Sequence, residues 1–236
     1  DVLRASRLAA GKQLELSVRD GEVGSMQSGA ATQATASERL WVKASRSGAE
    51  ALFTAPQLQL DQLDATGKGV ITASTQGLLG QLASQQDLNV NAGVLQAARL
   101  AAGTDLHVQA ASAEVDAIKA GGAADLQATA GLTLRAADVA GRLVLRADQL
   151  KLAGLQVGGD LDGEAKGALS VSGAASRIGG KLSLQANEAQ IASLTSHGDA
   201  SLSVTGALVA DQFGGDAAVK VSARSAQLTG LKAGGD

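Results

Sequence analysis

The stretch Leu88-Asn89-Val90-Asn91-Ala92 returns as Leu106-His107-Val108-Gln109-Ala110, as Leu182-Ser183-Leu184-Gln185-Ala186 and as Val219-Lys220-Val221-Ser222-Ala223. Self-similarity of this kind constrains the fold more than any other feature, because a chain that repeats itself must stack its repeats. Taking the first apolar residue of each copy as an anchor gives Leu14, Thr32, Leu52, Val70, Leu88, Leu106, Leu126, Leu143, Leu161, Leu182, Leu202 and Val219. The steps run from 17 to 21 residues and average about 18.6. Within a copy, the anchor and the residue two further on are mostly apolar, the residues between are mostly polar, and Ala closes the run. Period-two alternation places one face in a core and the other in water, which is a half-buried β-strand. The copies at Leu52 and Val70 fit worst: Pro56 stands where Ala is expected in the first, and the Ala comes one position early in both (Ala55, Ala73).

A second pattern, apolar-x-x-apolar-x-x-Gly, follows many anchors, as in Ala97/Leu100/Gly103 and Leu152/Leu155/Gly158. A spacing of three suits short strands separated by corners, and the glycine is expected to supply the positive φ of a sharp turn. Asp87, Asp105, Asp125 and Asp160 immediately precede anchors, where an aspartate side chain bonds turn backbone. Leu, Ala and Gln favour helix, but 30 glycines punctuating 236 residues would break any helix within a few turns. The expectation is an all-β chain: a right-handed parallel β-helix (β-solenoid) of about 12 coils of roughly 19 residues. Right-handedness rests on the variable step, since left-handed hexapeptide helices hold closely to 18 residues.

Composition removes several function classes. The 20 basic and 23 acidic residues leave a net charge of -3, against a general nucleic-acid partner. Without cysteine there is neither a disulfide nor a thiolate metal site, and two histidines leave little for imidazole ligands or triads. No cofactor or metal is expected, and no run approaches the ~18 apolar residues of a membrane span, so no membrane insertion. The only aromatics are Trp41, Phe53 and Phe213, few for a core of this size. The chain opens and closes within the pattern, and residues 1–236 read as a single β-helical segment from the interior of a longer filamentous protein.

Gly179-Gly180-Lys181-Leu182-Ser183-Leu184-Gln185-Ala186 and Gly158-Gly159-Asp160-Leu161-Asp162-Gly163-Glu164-Ala165 resemble the shaft repeats of the filamentous haemagglutinin family of large exported adhesins of Gram-negative bacteria. The resemblance spans essentially the whole chain and is weakest from Gly29 to Thr75. It implies a right-handed parallel β-helix, export through an outer-membrane two-partner secretion transporter, and a secreted or cell-surface adhesin that attaches to host-cell glycans or receptors. The same repeats occur in the stalks of contact-dependent inhibition toxins. The sequence has no Arg-Gly-Asp tripeptide, so no receptor motif carries over.

Among local features, Arg39-Leu40-Trp41-Val42-Lys43 stands out. With Leu40 and Val42 inward, Arg39, Trp41 and Lys43 share the outer face, where a ring flanked by cations suits a sugar or a sulfated glycan; the plain alternative is a Trp packed under a loop among solvated charges. Arg135, Arg142 and Arg146 come with Asp138 and Asp148 and read as a solvated face. His107 and His197 read as surface residues without catalytic partners. Parallel β-helices also host polysaccharide-active enzymes, but these need carboxylates clustered in a groove and aromatic platforms. The expectation is a non-enzymatic shaft with no catalytic residues.

Overall fold

The computed structural model describes residues 1–234. The chain is an all-β parallel β-solenoid of about 13 turns, ~18 residues per turn, against the 12 coils of roughly 19 expected from the repeat. It divides into two compact units, Asp1–Val115 and Asp116–Asp236.

In the first unit a coil is one long bent strand, such as Leu88–Ala102. Its inward residues are Leu88, Val90 and Ala92, then Leu95 and Ala97, then Leu100 and Ala102, all buried. These are three short faces joined by two corners, and an exposed turn at Gly103 and Thr104 leads to the next coil. In the second unit the faces separate into strands, such as Leu143–Ala147, Gln149–Ala153 and Leu155–Val157. Each strand pairs in parallel with its counterpart one coil away, so each column of the core repeats one side-chain position.

The alternation reads the core correctly. Leu88, Val90, Leu106, Val108, Leu182, Leu184, Leu202 and Val204 are all buried, while His107 and Ser203 face solvent. Asn89, Gln127 and Ser183 are only half-exposed, because side chains of adjacent coils flank them a strand spacing of ~4.8 Å away.

Four anchors need correction. Leu14 and Thr32 align with Ala51, then Gly69, then Leu88, so Leu52 and Val70 lie one residue late and half-exposed. A slip of one residue inverts a strand; placing Leu52 inside would have turned Phe53 out, whereas Phe53 and Ile71 are fully buried. In the second unit Ala124 aligns with Leu143 and Ala200 with Leu182. Leu126 and Leu202 are therefore the second inward residue of their strands rather than the first. With these corrections the steps become 18 or 19 residues within each unit, except the 21 from Leu161 to Leu182.

Most turn glycines serve a purpose other than the expected one. Positive φ occurs only at Gly154 and Gly173 among the described residues. At Gly29, Gly48, Gly103 and Gly158 a Cβ would instead collide with a backbone carbonyl of the preceding coil, that of Gly11, Gly29, Gln85 and Ala140 respectively. Three further glycines, Gly21, Gly69 and Gly163, occupy inward positions. There a Cβ would stand 2.9, 2.7 and 2.6 Å from the side chains of Leu40, Leu88 and Leu184. Each is the residue aligned one coil later, so a leucine leans into the space its neighbour leaves.

The aspartates bond between coils more than within turns. Asp87 Oδ1 accepts from the Thr104 hydroxyl, 2.5 Å, and the Asp105 amide, 3.4 Å; Asp160 Oδ1 accepts from the Lys181 amide, 2.7 Å. The Thr104 and Asp105 bonds hold the Asp87 carboxyl below its ordinary pKa. Asp125 does not do this: it follows its anchor, Ala124, and accepts from Gln127 Nε2 on its own strand at 3.2 Å.

Buried serines close the last face of several coils. Ser47 Oγ donates to the carbonyls of Ala30 and Glu50, 2.9 and 2.7 Å, and Ser28 Oγ to that of Ala30, 2.8 Å. Ser45 lies in the column between Met26 and Leu63, and its buried Oγ has no partner. A stranded hydroxyl costs about 1–3 kcal/mol. Ser45→Ala is therefore expected to raise the urea midpoint and Ser47→Ala to lower it, each by about 1 kcal/mol in stability.

Candidate functional site

Arg39, Trp41 and Lys43 alternate with Leu40 and Val42, which are fully buried, and all three side chains face outward. Arg39 and Trp41 share one flat face. Lys43 stands past the last inward residue of that face, at the corner before Ser45 turns in on the next. Trp41 is 43% exposed, whereas Phe53 and Phe213 are buried; no loop covers the indole.

The indole is flanked from both sides: Gln59 of the next coil aligns with Trp41, and the charged neighbours come from the preceding coils. Asp20 aligns with Arg39 and Glu22 with Trp41; Val2 and Arg4 align in turn with Asp20 and Glu22. Arg39 approaches Asp20 at 3.8 Å, and Arg4 approaches Glu22 at 3.4 Å. Arg19 lies 3.3 Å from Asp20 and 3.9 Å from Glu38. Arg4 and Arg39 thus face Glu22 and Asp20, with Arg19 and Glu38 at the corner beside them, so the face is balanced in charge rather than cationic. Exposed pairs of this kind contribute little stability. Between Val2, Arg4, Asp20, Glu22 and Trp41, over the backbone of Gly21, lies an open groove of about 210 Å³.

Arg4, Asp20 and Glu22 are not legible from the residues that neighbour Trp41 in sequence. The repeat step was the signal that finds them: Glu22 and Asp20 precede Trp41 and Arg39 by one coil, and Arg4 precedes Glu22 by one more.

Elsewhere the charged residues pair between coils rather than with their sequence neighbours. Arg135 binds Asp116, Arg142 binds Asp162, Arg146 lies 3.8 Å from Glu164, and Asp138 lies 3.6 Å from Lys119. His107 is an exposed outward residue. His197 does have an acidic partner: its Nδ1 lies 2.8 Å from Asp216, which Lys232 approaches at 3.4 Å on its other oxygen. These bonds, that to His197 first, hold Asp216 below its ordinary pKa. The hydroxyl next in sequence, that of Ser196, turns away and donates to the Gly198 carbonyl at 2.9 Å, so the pair fastens a turn. Among the described residues no three His, Cys, Asp or Glu group together as metal ligands, and no helix is long and apolar enough to cross a membrane.

Comparison of the chain with models of protein families, with curated proteins and with solved structures finds no match in any of the three.

Proposed function

We propose that this β-solenoid scaffold is a shaft section of a large secreted bacterial surface adhesin, a non-enzymatic segment that contacts the surface glycans or receptors of host cells. The observation that carries the reading is the coil-to-coil register. Aliphatic side chains dominate the inward columns, and several charged groups on the outside pair between coils. In such a construction each repeat packs only against its neighbours. The half-exposed Trp41 is an outward aromatic that this construction does not explain.

Export through an outer-membrane two-partner secretion transporter accords with the composition. A chain without cysteine can cross unfolded and fold outside with no disulfide to form. The family resemblance supplies the remainder of the reading.

The test is retention of the labelled 236-residue chain on epithelial cells, with release of reducing sugar from extracellular polysaccharides assayed in parallel. Saturable retention without new reducing ends is expected. No retention would leave a passive stalk, as in a toxin-delivery filament, and sugar release would make the chain an enzyme.

A further inference from the structure

We infer that the groove beside Trp41 binds one uncharged sugar ring. The adhesin reading supplies only the source of that sugar, on a host surface; the chemistry rests on the groove itself.

Trp41, left 43% exposed in a chain that buries its other aromatic rings, offers its indole as a stacking platform for the C–H face of a pyranose. The platform has polar walls. Glu22 stands directly beside Trp41 in the register, and Asp20 stands beside Arg39. Carboxylates accept charge-assisted hydrogen bonds from sugar hydroxyls, and Arg4 and Arg39 supply donors to hydroxyl and ring oxygens. The pairs Arg4–Glu22 and Arg39–Asp20 place these groups beside the groove. A groove of about 210 Å³ has room for a single ring.

Charge selects the class. A sulfated or carboxylated sugar would meet Asp20 and Glu22, and the two arginines that line the groove, Arg4 and Arg39, already have anionic partners. Lys43 makes no ion pair with them and stands around the corner. An extended peptide is disfavoured as well, because strand addition needs free backbone groups. The strand carrying Trp41 pairs with Leu14–Ser28 on one side and Ala51–Ala65 on the other.

Trp41 is the only tryptophan, so its fluorescence reports the groove directly. The full chain is titrated with methyl β-galactoside, methyl α-mannoside, N-acetylglucosamine and lactose, and with a heparin-derived sulfated disaccharide, at low and high salt. At least one neutral sugar should shift or quench the emission saturably. Its dissociation constant should be on the order of millimolar, as befits one ring in an open site, and the same at both salt concentrations. Glu22→Gln should weaken it at least about 10-fold, while Lys43→Ala leaves it unchanged. No response to any neutral sugar, or a stronger response to the sulfated one that salt abolishes, would overturn the proposal. The two readings fail separately. If cells retain the chain and its Trp41→Ala variant equally, the groove falls and the adhesin stands; if a sugar saturates Trp41 but cells ignore the chain, the adhesin falls and the groove stands.

Discussion

Leu106→Asp is expected to unfold the coils around it, while His107→Asp, one residue further on, leaves the chain folded. Leu106 is completely buried, so the substitution removes a leucine worth about 2–5 kcal/mol in a packed core. It also places a carboxylate where nothing can pair with it, at a cost of several kcal/mol more. The sum rivals the whole stability of a typical domain, about 5–15 kcal/mol. His107 points into water from the same strand. Urea unfolding followed by far-ultraviolet circular dichroism would read both variants. Equal behaviour would mean that the strand does not alternate as described.

The second large effect concerns the glycine stack. Gly103→Ala puts a methyl group against the Gln85 carbonyl, and the obstruction is backbone rather than a side chain that can swing away. The coils must part locally, at about 1–3 kcal/mol, with amide exchange rising at the turn. Gly131 offers the control: it has open space where its Cβ would be and no positive φ. Gly131→Ala should be neutral or stabilising by up to about 1 kcal/mol, through the restricted unfolded chain. A Gly103→Ala variant as stable as Gly131→Ala would show that the coils do not approach as closely as the carbonyl contacts require.

These two sites mark where sequence was readable. Whether a residue faces in or out depends on its immediate neighbours, so Leu88, Val90, His107 and Val108 declare themselves. Which inward residue comes first does not, since Ala124, Ala200 and Gly69 carry too little apolar signal to compete with Leu126, Leu202 and Val70. Glycine shows only that a side chain is absent. Whether that absence serves a turn, a carbonyl or a leaning leucine depends on atoms one coil away, and the expectation of positive φ was wrong at Gly103 and Gly158 for that reason. The Trp41 face divides in the same way. Its outward direction follows from Leu40 and Val42, whereas its balance of charge depends on Arg4, Asp20 and Glu22 in earlier coils.

The corners have a consequence for how such a chain measures distance. In the first unit the bend has one residue at Arg19 and at Pro56, and two at Ser37-Glu38 and at Ser74-Thr75. Pro56 thus falls where the register shifts between Ala55 and Gln57. In the second unit the wider step from Leu161 to Leu182 includes the exposed corner at Gly173, Ala174 and Ala175. Every added residue bulges sideways, and the strands on either side still meet their partners one strand spacing away. Length along the stack is therefore counted in coils and not in amino acids. A gene encoding such a ruler can gain or lose a codon at a corner and keep its calibration, whereas the same change inside a strand would turn the remainder of that strand inside out.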